Sequence, residues 1–200
     1  MSDTIYTIGH SNHTIDAFLA LLDRHRIEVI ADVRSSPFSR RHPQFSRDDL
    51  KQKLAEAGIR YVFLGHQLGA RPKDRSCYVE GRVSYHRLAS TETFQVGLKR
   101  LMSGSTEYRI AMLCAEKDPL DCHRTILVAR RLAEQELEVV HILADGTLEK
   151  HAQAMERLLA MMRLRPDDLF LDREAILRQA YDRQGEKIAF SEVSESVGER

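Results

Sequence analysis

Short apolar runs alternate along the chain with longer stretches in which apolar residues recur every three or four positions. The short runs are residues 4–8 (TIYTI), 27–33 (IEVIADV), 61–64 (YVFL), 110–113 (IAML) and 138–143 (EVVHIL). Each has the length and β-branched character of a buried strand. The first intervening stretch carries Ile15, Phe18, Leu19, Leu21 and Leu22 at helical spacing, with Ser11, Asn12 or Thr14 as its cap. Leu50 and Leu54 form the inner face of a helix over 48–57, which Gly58 stops. Phe94, Leu98 and Leu101 do the same for 91–102, and Ile126, Leu127, Ala129 and Leu132 for a helix opening at Cys122. Residues 148–162 read as a further helix, and Ile176, Leu177 and Ala180 face inward from a last one over 172–184. Pro166-Asp167-Asp168 breaks the chain between those two. Residues 65–84 read as one long irregular loop, and 191–200 as a polar tail that frays.

Strand and helix alternate, and the first strand–helix–strand unit spans about thirty residues, as a βαβ unit does. The pattern predicts one α/β domain over 1–190. Its sheet is mostly parallel, Rossmann-like, of about five strands, with helices on both faces. In such open sheets ligands bind beyond the carboxyl ends of the strands. The residues following the five runs are Gly9-His10-Ser11, Asp32 with Arg34, Gly65 with Gln67, Cys114 with Glu116, and Asp145-Gly146. Five polar clusters at five strand ends predict a polar cleft at that edge.

Composition changes this picture little. The chain has 200 residues, 42% of them hydrophobic, enough for a proper core. Thirty basic residues balance thirty acidic ones, so overall charge argues for neither a nucleic-acid nor a membrane partner. No apolar run approaches the length of a membrane span, and the first residues, MSDTIYTIGH, lack the features of a secretory signal. Three cysteines, an odd count, suggest reduced thiols and a cytoplasmic setting. GxGxxG, the phosphate-loop lysine motif, HExxH and GxSxG are all absent, which removes the commonest nicotinamide, ATP, zinc-protease and serine-hydrolase readings. No cofactor is expected.

The stretch 109–131 (RIAMLCAEKDPLDCHRTILVARR) concentrates the chemistry. A buried strand delivers Cys114 and Glu116; a short loop later a helix start delivers Cys122, His123 and Arg124. Free N–H groups and the helix dipole favour an anion at such a start, and Arg124 can fork onto carboxylate or phosphate. A thiol there has a lowered pKa, making Cys122 a candidate nucleophile; equally, Cys122 is small and buried while His123 and Arg124 bind backbone carbonyls. In phosphatases and rhodaneses a strand-end cysteine is followed by a loop closed by arginine, but Leu120 stands at the corresponding position here, so Cys114 reads better as core. Glu116 is either a partner of Arg34 or Arg124 or a general base. Zinc on His10, Cys114, Cys122 and His123 is not expected, because adjacent Cys and His side chains diverge and the spacing matches no zinc signature.

Asp32 and Arg34 share a face, as a structural ion pair or as a ligand-gripping one. Arg40, Arg41 and Arg47 extend that charge along a loop that can hold phosphates or simply be solvated. His10, after Gly9, is a proton carrier or a cap. Tyr78, Tyr85 and His86 can stack on a base or close a minor core.

Taken together, Thr7-Ile8-Gly9-His10-Ser11, Asp32-Val33-Arg34 with Pro37 and Ser39, Pro43-Gln44-Phe45, Leu68-Gly69, and Cys114-Ala115-Glu116 with Cys122-His123-Arg124 resemble the bacterial domain of unknown function 488 family. The resemblance runs from about Ile5 to Ile142 and on through Tyr181 to Phe190. It implies a single α/β domain and no settled reaction. One departure is the stretch Leu68-Gly69-Ala70-Arg71, where the family often carries two adjacent glycines.

The leading expectation is an enzyme that binds a small anionic, phosphate-bearing or nucleotide-like ligand at the carboxyl edge. Gly9, Ser11, Asp32, Arg34, Arg40, Arg41 and Arg124 would bind it, and His10, Glu116, Cys122 and His123 would carry the chemistry. The alternatives are a nucleic-acid-binding module built on the loop 34–47, and a non-catalytic regulatory or scaffold domain.

Overall fold

The computed structural model describes residues 4–164 and 172–192. The break at Pro166-Asp167-Asp168 and most of the tail lie outside them. In chain order the elements are β1 (Thr4–Gly9), α1 (Ile15–Arg24), β2 (Val29–Asp32), α2 (Arg47–Glu56), β3 (Arg60–Phe63), α3 (Gly65–Leu68), β4 (Tyr78–Val79), β5 (Arg82–Val83), α4 (Tyr85–Ala89), α5 (Glu92–Ser105), β6 (Ile110–Cys114), a π-helical segment (Arg124–Ala129) running into α6 (Arg130–Ala133), β7 (Glu138–Ile142), β8 (Leu148–Lys150), α7 (His151–Met161) and α8 (Arg173–Ile188).

Six strands form one sheet in the order β3-β2-β6-β1-β7-β8, parallel except for β8. The α/β, Rossmann-like architecture is as expected. Alternation along each strand explains its two faces. On one face Tyr6, Ile8, Ile30, Ala111 and Leu113 meet Phe18 and Leu22 of α1 and Leu50 and Leu54 of α2. On the other, Ile5, Ala31, Met112 and Val139 meet Phe94, Leu98 and Leu101 of α5 and Leu127, Val128 and Leu132. Every one of these side chains is almost wholly buried, and each buried Leu or Phe contributes about 1.5–3 kcal/mol. A third cluster joins α7 and α8 to Leu120 and Ile126. Of the three cap candidates, Thr14 caps α1, its Oγ1 accepting from the Ala17 N–H at 3.2 Å.

Register sets the site. Gly9 lies opposite Cys114, and Asp32 opposite both Leu113 and Phe63, so β1, β2, β3 and β6 end level with one another. The chain therefore leaves four adjacent strands at one edge.

Three expectations need correction. Residues 148–150 are not helical: Asp145-Gly146 makes a tight turn, Gly146 at φ 80°, and β8 returns antiparallel to β7. The stretch 65–84 is not wholly irregular: it holds α3 and the β4–β5 hairpin, whose turn residues Glu80 and Gly81 both take positive φ. Finally, the helix after Cys122 does not start as an α-helix. It is wound more widely, so that the Arg130 N–H reaches back five residues to the Thr125 carbonyl.

Candidate functional site

Two groups of polar side chains meet at the carboxyl edge, one lining an open cleft and one beneath it. The first lines a cleft of about 500 Å³ that includes His10, Ser11, Arg34, Arg41, Glu116 and Lys117. These residues come from the loops after β1, β2 and β6, so the cleft is a product of strand register.

His10 is 4% exposed and stacks on Phe45, the ring centroids 4.4 Å apart. Its Nδ1–H donates to the Ser11 carbonyl at 3.0 Å. Burial, with the Arg34 charge second, lowers its pKa to about 4. The ring is neutral near pH 7, and Nε2 is left as a proton acceptor. Arg34 is largely engaged: Nε and Nη2 fork onto the Asp32 carboxylate at 2.9 and 2.7 Å, and Nη1 donates to the Phe45 carbonyl at 2.9 Å. Asp32 is fully buried, and the Tyr61 hydroxyl adds a 2.6 Å bond to it. The Asp32–Arg34 pair thus fastens the loop after β2 while one side of Arg34 faces the cleft. Arg41 and Lys117 are exposed and form no ion pair among the described residues; they hold the cleft's uncommitted positive charge. Arg40 is exposed and does not line the cleft.

The buried group lies one layer down. Cys114 at the end of β6 and Cys122 before the π-helical segment are both buried. His123 Nδ1 is 3.6 Å from Cys114 Sγ and 3.9 Å from Cys122 Sγ. Its Nε2–H donates to the Val33 carbonyl at 3.0 Å. Glu116 is exposed, yet its Oε2 accepts from the Cys122 thiol at 2.9 Å. Burial first, and then Cys122, push the Cys114 thiol well above the usual thiol range. Burial opposes ionisation of Cys122 too, but Cys114, Arg124 and His123 outweigh it and hold that thiol well below its ordinary value. Burial and the neighbouring sulfur raise Glu116. His123 is raised by Cys122 and Glu116 in spite of burial. Of the two thiols, Cys122 is therefore the more readily ionised.

The supposition that Cys122 and His123 diverge is overturned. Cys122 is extended (φ −136°, ψ 141°) and His123 helical (φ −60°, ψ −25°), and that change across one peptide brings both side chains to Cys114. His10 is not part of the group. At the helix start where an anion was expected, three of the N–H groups are already used. Those of Thr125 and Ile126 go to the Cys122 carbonyl, each at 3.1 Å, and that of Arg124 to Cys122 Sγ at 3.4 Å. Arg124 itself is 1% exposed and faces inward, its Nη1 and Nη2 donating to the Glu116 and Lys117 carbonyls at 2.8 and 3.4 Å. It ties down the loop after β6 instead of lining the cleft. Gly9 likewise meets protein: a Cβ there would stand 1.9 Å from the Glu116 carbonyl oxygen. Lys117 and His42 line the cleft but were not singled out in the sequence; Lys117 sits inside the CAEKDP turn, where its neighbours already marked the site.

A parallel α/β sheet with its polar groups gathered at the carboxyl edge is the class of protein these features define. The family model described as Domain of unknown function DUF488 matches residues 14–131, more than half of the chain, and the protein belongs to that family. No curated protein and no solved structure matches it. Among the described residues no helix is long and apolar enough to cross a membrane.

Proposed function

We propose that the protein is an enzyme acting on a small anionic, phosphate-bearing ligand held in the cleft at the carboxyl edge of the sheet. The observation that carries this reading is the convergence of His10, Ser11, Arg34, Arg41, Glu116 and Lys117 from three separate strand ends on one cavity. Arg41 and Lys117 supply charge that no carboxylate among the described residues takes up. Arg34, positioned by Asp32, adds a fixed guanidinium at the wall. His10 Nε2 would be the proton acceptor and Glu116, with its raised pKa, the donor. A cytoplasmic setting accords with three free, buried thiols.

The loop 34–47 supports a nucleic-acid module less well. Arg34 is committed to Asp32, and Arg47 lies over the Phe63 ring at 4.5 Å, which leaves two of its four arginines, Arg40 and Arg41, without an ion pair among the described residues.

The test is a thermal-shift and calorimetric screen with inorganic phosphate and nucleoside mono-, di- and triphosphates. A hit is expected. Arg41→Ala with Lys117→Ala should weaken it about a hundredfold, roughly tenfold for each lost ionic contact. A panel without a hit, or a hit indifferent to the double variant, overturns the assignment.

A further inference from the structure

We propose that Cys114, Cys122 and His123 bind a borderline-soft divalent cation of the zinc class, with Glu116 at or beside the fourth position. The two sulfurs and the imidazole Nδ1 all lie within 4.8 Å of one another. A tetrahedral zinc ion with bonds of about 2.3 Å to sulfur and 2.0 Å to nitrogen sets sulfur and nitrogen about 3.5 Å apart. The observed separations are 3.6 and 3.9 Å, so both Sγ–Nδ1 edges of that tetrahedron already exist to within a few tenths of an ångström.

The surroundings carry the inference further than the distances alone. His123 Nε2–H is fixed on the Val33 carbonyl, and a ligating histidine is held in this way through its other ring nitrogen. That bond leaves the Nδ1 lone pair aimed between the two sulfurs. The Arg124 backbone N–H points at Cys122 Sγ, where it stabilises sulfur carrying negative charge. The buried Arg124 guanidinium holds the loop after Cys114 in place through the Glu116 and Lys117 carbonyls. Cys114 comes from a strand end, and Cys122 and His123 from the following helix start. The cluster therefore rests on two rigid elements of the core.

Binding needs no electron transfer. Each thiol releases its proton to water as its sulfur–metal bond forms, and the two thiolates neutralise the dication. Two thiolates and one imidazole leave a fourth position, and three protein ligands with one open place are the arrangement of catalytic zinc. Glu116 connects that place to the cleft, since its Oε2 touches Cys122 Sγ and the residue lines the cavity. The proposal stands whether or not the cleft takes a phosphate-bearing ligand.

The experiment begins with reduced, chelator-stripped full-length protein titrated with zinc and with cobalt(II) under anaerobic conditions. The expected result is one metal per chain, a cobalt–thiolate charge-transfer band, and a rise in Tm of roughly 10 °C at a thousandfold zinc excess over Kd. Cys114→Ser and Cys122→Ser should lose the band, while Cys77→Ser, altering a buried thiol outside the cluster, should keep it. X-ray absorption of the zinc-loaded wild-type protein needs no variant and should find two sulfur neighbours at about 2.3 Å. Reduced protein that takes up no zinc or cobalt overturns the proposal. So does zinc with only oxygen and nitrogen neighbours, or a band that survives loss of Cys122.

Discussion

Gly9 has no space for a side chain. An alanine Cβ would meet the Glu116 carbonyl oxygen at 1.9 Å and approach Arg124 Nη2 at 3.2 Å. The loops after β1 and β6 are laced together just there, the His10 N–H bonding the Cys114 carbonyl and the Ser11 N–H the Ala115 carbonyl, each at 2.9 Å. Gly9→Ala should therefore push these loops apart at a cost of about 2 kcal/mol, a fall in Tm of roughly 6 °C. An unchanged melting curve would show that the Glu116 carbonyl yields freely. The same residue illustrates what a sequence tells at this scale. Gly9, Asp32, Arg34 and Arg124 were all recognisable as special, yet nothing local distinguishes a glycine that admits a ligand from one that admits a neighbouring loop. Whether Arg34 meets a phosphate or Asp32 depends on a side-chain rotamer and on the position of Phe45, eleven residues away.

Among elements, β7, α7 and α8 are joined by a buried polar chain. Thr7 Oγ1 is 2.8 Å from His141 Nδ1, His141 Nε2 is 3.1 Å from His151 Nδ1, and His151 Nε2 is 2.7 Å from the Tyr181 hydroxyl. A neutral histidine has one donor and one acceptor nitrogen, so all three bonds must run in the same direction. Removing the Tyr181 hydroxyl breaks the end of this chain and leaves a buried nitrogen unpaired, which costs about 2 kcal/mol. Tyr181→Phe should lower the urea midpoint and speed amide exchange in α8 above all. Uniform exchange across the chain, or no change in midpoint, would mean that apolar contacts alone dock α8. None of this coupling was legible: His141 was one residue of an apolar strand and His151 one of a helix, and their pairing spans the β7–β8 turn. The strands and the helices α1, α2, α5 and α8 were legible because burial imposes a period of two or of 3.6. The hairpins were missed although Asp145-Gly146 and Glu80-Gly81 supply turn residues, because β4, β5 and β8 are two or three residues long and carry no apolar run.

At the scale of the whole molecule, a mostly parallel sheet with polar residues gathered at its carboxyl edge was readable from alternation alone. The strand order was not, since the insertion of β6 between β2 and β1 leaves no mark on either run. That central placement has an electrostatic consequence. The loops around β1 and β6 and the helices packed beside β7 bury imidazoles beside arginines. His10 is lowered to about 4 by burial and Arg34, and His151 to about 4 by burial. His141 is held well below its ordinary range by burial, His151, Arg124 and Arg157. In the unfolded chain each titrates near 6.5. Above that pH neither state binds these protons, and the contribution of these three histidines is complete. As pH falls from about 6.5 to about 4 the unfolded chain takes up protons that the native state refuses, so stability declines. His151 alone accounts for about 3 kcal/mol across this window. Urea midpoints should fall steadily from pH 6.5 to pH 4. His151→Gln should be less stable at pH 7 but have a visibly shallower slope below pH 6.5. A slope that the variant leaves unchanged would place the acid sensitivity elsewhere, in carboxylates such as Asp118, whose pKa the Arg157 guanidinium lowers.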